Sequence, residues 1–192
     1  MTPRAPRMEP DDRRAALIAV TRPLLYQHGR NVTTRLIAEA AGVAEGTIFR
    51  VFGSKDELVE AAIAQAFEPG ELPARVRGID PALPLEQKLV AYVTALQQRY
   101  LAVFGLMAAV GMVSPPQHDH EAHEAGRRTL RALLAALLEP DAARLRRPVD
   151  EVVHLINLLT FSASHHGISD GRPLTPTQIV DALLHGVLLE ED

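Results

Sequence analysis

The sequence contains no cysteine. Disulfides are therefore excluded, as are zinc or iron–sulfur sites with cysteine ligands and every thiol nucleophile. Long hydrophobic runs are missing as well. Polar residues break the apolar stretches before they reach the roughly 18 residues that a membrane-spanning helix requires, so no membrane partner is expected. The opening MTPRAPRMEPDDRR leads into only a short apolar run and lacks the pattern of a secretory signal. A cytoplasmic location is the resulting expectation. No phosphate-binding glycine loop, HExxH arrangement or nucleophile motif occurs, so the residues point to neither an enzyme nor a cofactor.

Nor is there an excess of positive charge. A formal net charge of -4 over 192 residues argues against a broadly basic surface. The distribution is uneven, however. Residues 13–55 hold Arg13, Arg14, Arg22, Arg30, Arg35, Arg50 and Lys55 against only Glu39 and Glu45, whereas from residue 61 onward 11 basic residues stand against 16 acidic ones. A local positive field of this kind can attract phosphate while the rest of the chain stays acidic.

What is abundant is helix-forming apolar sequence. Hydrophobic residues make up 47% of the chain, and no segment shows the alternation of a strand. The expected fold class is all-α. A first helix is predicted over about Asp11 to Gln27, with Leu17, Val20, Leu24 and Leu25 inward and Gly29 as its stop; Pro23 sits awkwardly inside it. Thr33 is the N-cap of a short helix, Thr34 to Ala41. Gly42 allows a tight turn, and a third helix spans about Glu45 to Phe52 before Gly53. Ser54 and Glu57 form a capping box for a helix ending near Phe67. Residues 69–84, rich in proline and glycine, read as a connection between a head and a body. Beyond them come one long helix or two joined near Gly105, closed by Pro115–Pro116. Helices over about His118 to Leu138, after Pro148 and after Pro173 complete the chain, the last with Thr175 as its cap.

The second and third helices have the layout of a helix–turn–helix, which needs a supporting helix, a tight turn and a helix able to enter the major groove. Ile37, Ala40 and Val43 form the packed side. The third helix offers Glu45, Thr47 and Arg50 outward, with Ile48, Phe49 and Phe52 as anchors. By spacing alone, the same pattern also fits a small three-helix core with no ligand.

The last two helices carry more apolar residues than one core-facing stripe needs: Leu155, Ile156, Leu158, Leu159 and Phe161 on one, Leu183, Leu184, Val187 and Leu188 on the other. A helix apolar on more than one side is buried on more than one side. Burial inside one chain would satisfy this, but the patterning favours a homodimer formed through the last two helices, with Ala182 and Gly186 allowing close approach. His118, His120 and His123 lie among Asp119, Glu121 and Glu124. His120 and Glu124 could share a metal on one helical face, yet such a group equally suits a solvated helix start, and no metal is assigned. His165 and His166 beside Gly167 mark a helix end.

Thr33–Thr34–Arg35, Ile37–Ala38, Ala40–Ala41–Gly42–Val43, Gly46–Thr47–Ile48–Phe49 and Phe52–Gly53–Ser54–Lys55 together resemble the DNA-binding signature of the TetR family of transcriptional regulators. The motif covers about Gly29 to Val59. The resemblance implies a three-helix helix–turn–helix DNA-binding head, residues 1–53, joined to a helical bundle for ligand binding and dimerisation, residues 54–192. It implies double-stranded operator DNA as partner, a homodimer, and a repressor released by a small hydrophobic or aromatic effector. An activator, a regulator without an inducer, and a helical protein-interaction module are the alternatives.

Carried onto this chain, the resemblance makes Arg35, Glu45, Thr47, Phe49, Arg50 and Lys55 the candidate DNA-binding residues. Arg35 and Thr47 match positions that meet phosphate or nearby base edges, Arg50 lies on the reading surface, and Lys55 resembles a phosphate-binding lysine. Gly46 is expected to permit close approach of the third helix to the duplex or to its supporting helix. Three positions depart from the pattern. Phe49 stands where tyrosine is common, Ala44 replaces a serine or threonine N-cap, and Val51 replaces a frequent tyrosine or histidine. In the body, the resemblance makes Tyr92, Leu96, Tyr100, Phe104, Met107, Leu134, Asn157 and Phe161 the candidate effector contacts, although the same spacing also fills an ordinary core.

Overall fold

The structure, a computed structural model, describes residues 9–114 and 120–187. Among them are nine α-helices, two 3-10 turns and no strand, as the all-α expectation requires. The helices are α1 (Pro10–His28), α2 (Thr34–Ala41), α3 (Glu45–Val51), α4 (Lys55–Phe67), α5 (Leu72–Arg77), α6 (Leu85–Ala109), α7 (His120–Leu138), α8 (Val149–Ser164) and α9 (Pro176–Val187). None is long and apolar enough to cross a membrane. Packing divides the described residues into two units, 9–67 with 105–114, and 68–104 with 120–187. The expected helix stop at Pro115–Pro116, His118 and Leu188 lie outside the described residues, as do the side chains of His120, His123 and Val187. The histidine group is therefore outside them too.

In the first unit, Leu17, Ile18 and Leu25 of α1 bury against Ile37, Ile48, Phe52 and, from α4, Leu58, Val59, Ala62 and Ile63. The expected inward set of α1 needs correction. Val20 and Leu24 are only half-buried, and Ile18 and Thr21 are buried instead. Thr21 tolerates that position because its hydroxyl donates to the Leu17 carbonyl at 2.7 Å. The helix continues through Pro23, since Pro23 and Ala19 are both exposed and water can satisfy the carbonyl that the proline leaves free. Gly29 ends α1 with φ +56, and a Cβ placed on it would lie 2.4 Å from the carbonyl oxygen of Ala109, in the last turn of α6. Only glycine meets both conditions. On α2 the buried alanine is Ala38 and not Ala40, which is exposed; Ile37 and Ala38 together turn toward the core, with Ala41 one turn on from both.

The connection over residues 69–84 holds a helix that its prolines and glycines conceal. Pro73 lies at the start of α5, where its missing N–H costs nothing, and Leu72 and Val76 are buried one turn apart. The long helix α6 runs unbroken through Gly105. Leu89, Tyr92, Val93 and Leu96 of α6 form a core with Leu134 and Leu138 of α7, Val152 and Ile156 of α8, and Ile179 and Val180 of α9. Thr175 caps α9 as expected, its hydroxyl accepting from Gln178 N at 3.3 Å while the Gln178 side chain accepts from Thr175 N at 2.9 Å.

One charge lies inside this core. Lys88 of α6 is 2% exposed and pairs with Asp141, which sits in the 3-10 turn Glu139–Arg144. Its ammonium also reaches the Leu137 carbonyl at 3.4 Å, and Arg144 donates to the same Asp141 at 3.1 Å. Burial would raise the Asp141 carboxyl, but the hydrogen bonds and charges of Lys88 and Arg144 outweigh it and hold the group below the usual carboxylate range. Asp141→Ala strands a buried ammonium and is expected to cost about 3–5 kcal/mol, whereas Lys88→Met with Asp141→Leu should be close to neutral. Urea unfolding measures both. Because the folded-state pKa is depressed, the pair's contribution is complete above the ordinary carboxylate pKa and fades as pH falls through the folded value. The stability gap between wild type and Asp141→Asn should therefore shrink below about pH 4.

Candidate functional site

Thr33, extended at φ -103 and ψ 151, caps α2 by accepting from Leu36 N at 3.3 Å. Gly42 takes the left-handed conformation at φ +65 and starts the turn, and Val43 N returns to the Ala38 carbonyl at 3.0 Å. These contacts aim α3 across α2. Ala44 supplies no side-chain cap for α3. Ile48 and Phe52 anchor it, at 0% and 1% exposure. Phe49, expected as a third anchor, is instead 52% exposed, because it falls on the outward side of a helix whose inward side needs only one residue per turn.

The outward residues of α3 are thus Glu45, Phe49 and Arg50, with Thr47 half-buried. Arg50 donates to the Thr47 hydroxyl at 3.4 Å, which links the two along the helix. Nothing lies within 4 Å of a Cβ placed on Gly46. Its role in close packing onto the supporting helix is thereby excluded, and the open side of α3 faces away from the protein. Thr34, at the start of α2, donates to the Glu45 carboxylate. Arg35 beside it is exposed, and Val51 is half-buried.

The basic residues of this unit divide by what they touch. The Arg14 guanidinium lies 4.2 Å from the Phe52 ring centroid and 3.6 Å from Glu57. Arg30 pairs with Glu60 at 2.6 Å. Lys55, half-buried at the start of α4, donates to the Arg30 carbonyl at 3.1 Å. Arg22 on α1, Arg35 and Arg50 are left outward without an acidic partner among the described contacts. The Ser54–Glu57 capping box forms as the sequence suggests: Ser54 accepts from Glu57 N at 3.1 Å, and Glu57 accepts from Gly53 N at 2.8 Å.

In the second unit, the Tyr92 hydroxyl donates to Asn157 Oδ1 at 2.9 Å, and Asn157 donates to the Val153 carbonyl at 2.7 Å. Burial, above all, holds the Tyr92 hydroxyl well above its usual pKa, so it serves as a neutral donor. Burial also raises Tyr100, against the pull of Arg127, Arg99 and Arg131. Tyr100, Phe104 and Phe161 meet as a ring cluster with centroids 5.2–6.0 Å apart. His165, read from sequence as a helix end only, joins it 4.8 Å from Phe104. Leu96 and Leu134 are buried in the same core. Thr160, fully buried on α8, has a hydroxyl oxygen without a hydrogen-bond partner among the described residues. Met107 belongs to the first unit and is half-buried there.

A further apolar surface lies along α8 and α9. A groove of about 460 Å³ is lined by Leu155, Leu158, Leu159, Ala182 and Leu183 together with Arg147 and Ser162. Leu158 is 53% and Phe161 39% exposed on this part of α8.

Contacts between elements escaped the sequence, among them Arg14–Phe52, Thr34–Glu45 and Phe104–His165, because no local pattern marks them. Glu57 acts on two at once, capping Gly53 and pairing with Arg14. Glu57→Ala should cost about 1 kcal/mol and lower Tm by several degrees, against less than about 0.5 kcal/mol for Glu60→Ala, which loses only an exposed ion pair. Thermal unfolding of the two variants compares them.

Residues 17–62 match the family model of the bacterial regulatory proteins of the tetR family. Solved structures share the fold along nearly the whole chain. A tetR-family transcriptional regulator from Streptomyces coelicolor is 22% identical at a TM-score of 0.60, over 93% of this chain and 80% of that one. A transcriptional regulator from Rhodococcus is 21% identical at 0.59, over 96% and 100%. A ketosteroid transcriptional regulator of Mycobacterium tuberculosis is 22% identical at 0.54, over 93% and 96%.

Proposed function

We propose that this chain, which carries the DNA-binding head of the bacterial tetR family of regulatory proteins, is a sequence-specific repressor released from its operator by a small hydrophobic or aromatic effector. The observation that carries the reading is the division of labour on α3. Two side chains hold the helix from inside, while Arg50 faces outward, joined to the half-buried Thr47, beside the open backbone at Gly46. Arg50 has the fork to bond a guanine edge. Arg35 and Lys55 flank it as phosphate contacts, Phe49 adds exposed aromatic surface, and residues 54–192 carry the regulatory and dimerising role. Lys55 is positioned by its bond to the Arg30 carbonyl and stands at the start of α4, where charge and helix terminus act together on phosphate.

The effector reading rests on the ring cluster of Tyr100, Phe104 and Phe161, the Tyr92–Asn157 pair next to it in sequence order on α6 and α8, and Leu96 and Leu134. Aromatic walls with few hydrogen-bonding groups suit a flat apolar molecule with one or two polar atoms. The dimer reading rests on the α8–α9 groove. Exposed leucine and phenylalanine beside an apolar channel mark a surface that another molecule covers, and a second copy presents the same surface in return.

Two experiments test this. In binding titrations over a series of operator variants, Arg50→Ala should lose about tenfold or more at one base position and relax the preference there. Lys55→Ala should weaken all sequences alike and lower the salt slope by about 1. An Arg50→Ala profile identical to wild type would sink the assignment. For the dimer, Leu158→Asp should sediment as a monomer and bind a palindromic duplex more weakly; a variant that remains dimeric removes α8 from the interface.

A further inference from the structure

An acidic side chain on the outward face of a helix that approaches DNA needs an explanation, because phosphates repel it. Glu45 is such a residue. It is the first residue of α3 and exposed. It pairs with no cation among the described contacts, although Arg35 and Arg50 are close in sequence. What it does contact is Thr34, whose hydroxyl donates to its carboxylate. Thr34 is the first residue of α2, so this bond joins the starts of the two helices. It does so where Ala44 leaves α3 without a side-chain cap.

The surroundings of Glu45 let it reach outward. Its neighbours Ala44 and Gly46 are small and exposed, and the space over Gly46 is empty to 4 Å. Backbone at this end of α3 can come closer to a duplex than at Phe49 or Arg50. A carboxylate only accepts hydrogen bonds. With one hydroxyl bond already taken from Thr34, its remaining acceptor capacity calls for a donor in the major groove. Two bases present one there, cytosine through N4 and adenine through N6. Adenine N6 lies beside the N7 lone pair, which repels a carboxylate. Cytosine N4 lies beside a C–H.

We propose that Glu45, held by Thr34, is a specificity-determining residue that accepts a hydrogen bond from the N4 amine of a cytosine in the operator. The proposal rests on the reading of α3 as the DNA-reading helix. Thr34 is then a positioning residue, acting through Glu45 and not on the base. The acidic charge becomes a filter: it weakens binding to all sequences slightly and is offset only where the amine is present.

The test is enrichment of the full-length chain on a pool of randomised duplexes, followed by affinity measurements on the selected site with each base at each position. Wild type should show one position with a cytosine preference of about tenfold that Glu45→Ala abolishes, while Glu45→Ala binds unrelated duplexes more tightly than wild type. Glu45→Gln, nearly the same shape, should move that preference to adenine, because an amide pairs with N6 and N7 together. Thr34→Val should reduce the same cytosine preference and leave the salt slope unchanged. Tm values matched to wild type show that the variants are folded. A Glu45→Ala or Glu45→Gln profile identical to wild type overturns the proposal, as does loss of preference at a position other than cytosine. A Thr34→Val profile unchanged from wild type overturns the positioning role. If wild type itself enriches no sequence, the DNA-reading assignment of α3 fails, and that result is distinct from each of the others.

Discussion

A helix of seven residues has no stability of its own in water, and α3 lacks even a side-chain cap. It exists because Ile48 and Phe52 are driven into the core made by α1, α2 and α4. Everything the outward face of α3 can do depends on that burial. Phe52 carries the larger share. It ends the helix, receives the Arg14 guanidinium over its ring, and precedes the Gly53 amide that Glu57 satisfies. Phe52 and the Gly53 amide that follows it thus tie the first and fourth helices to the end of α3. Of the outward positions, Glu45 adds the bond from Thr34, and Phe49 and Arg50 take no part in the anchoring.

The second unit solves a different problem. It must enclose polar groups without leaving them unsatisfied, and it does so in pairs: Lys88 with Asp141, Tyr92 with Asn157, Gln97 with the Leu174 carbonyl at 2.7 Å. Thr160 stands apart, since its hydroxyl oxygen is buried without a partner among the described residues. A core organised by polar pairs has fewer alternative packings than a purely apolar one, because each misplaced partner costs a desolvated group. Such a core holds a defined arrangement of rings between α6 and α8.

Features that depend on near neighbours along the chain were legible in the sequence. Thr33 and Thr175 as caps, Gly42 as the turn and the Ser54–Glu57 box each follow from bonds spanning a few residues, and each is present. Features decided by distant parts of the chain were not legible. The sequence pattern placed Ala40 inward, and packing of α2 against α1 selects Ala38 instead. Phe49 has the composition of an anchor, but Ile48 and Phe52 already fill the available space. The prolines and glycines of residues 69–84 suggested a bare connection, because a helix as short as α5 offers too little periodicity to outweigh them. Around α3 the residue types were readable, but the bonds that orient them were not: Thr34 to Glu45 and Lys55 to the Arg30 carbonyl cross between elements.

Gly29 has a consequence for how the first unit tolerates change. Where its α-carbon meets the Ala109 carbonyl, main chain touches main chain. Side-chain contacts can be retuned one methyl group at a time, so evolution can soften or stiffen them gradually. This contact offers no such adjustment. Any replacement at position 29 meets both a forbidden φ and a collision with a carbonyl oxygen, whereas changes at position 109 leave the contacting atom the same. Mutational tolerance across this junction is therefore one-sided, and a displacement of the last turn of α6 would bear on the end of α1 with no side chain between them to absorb it.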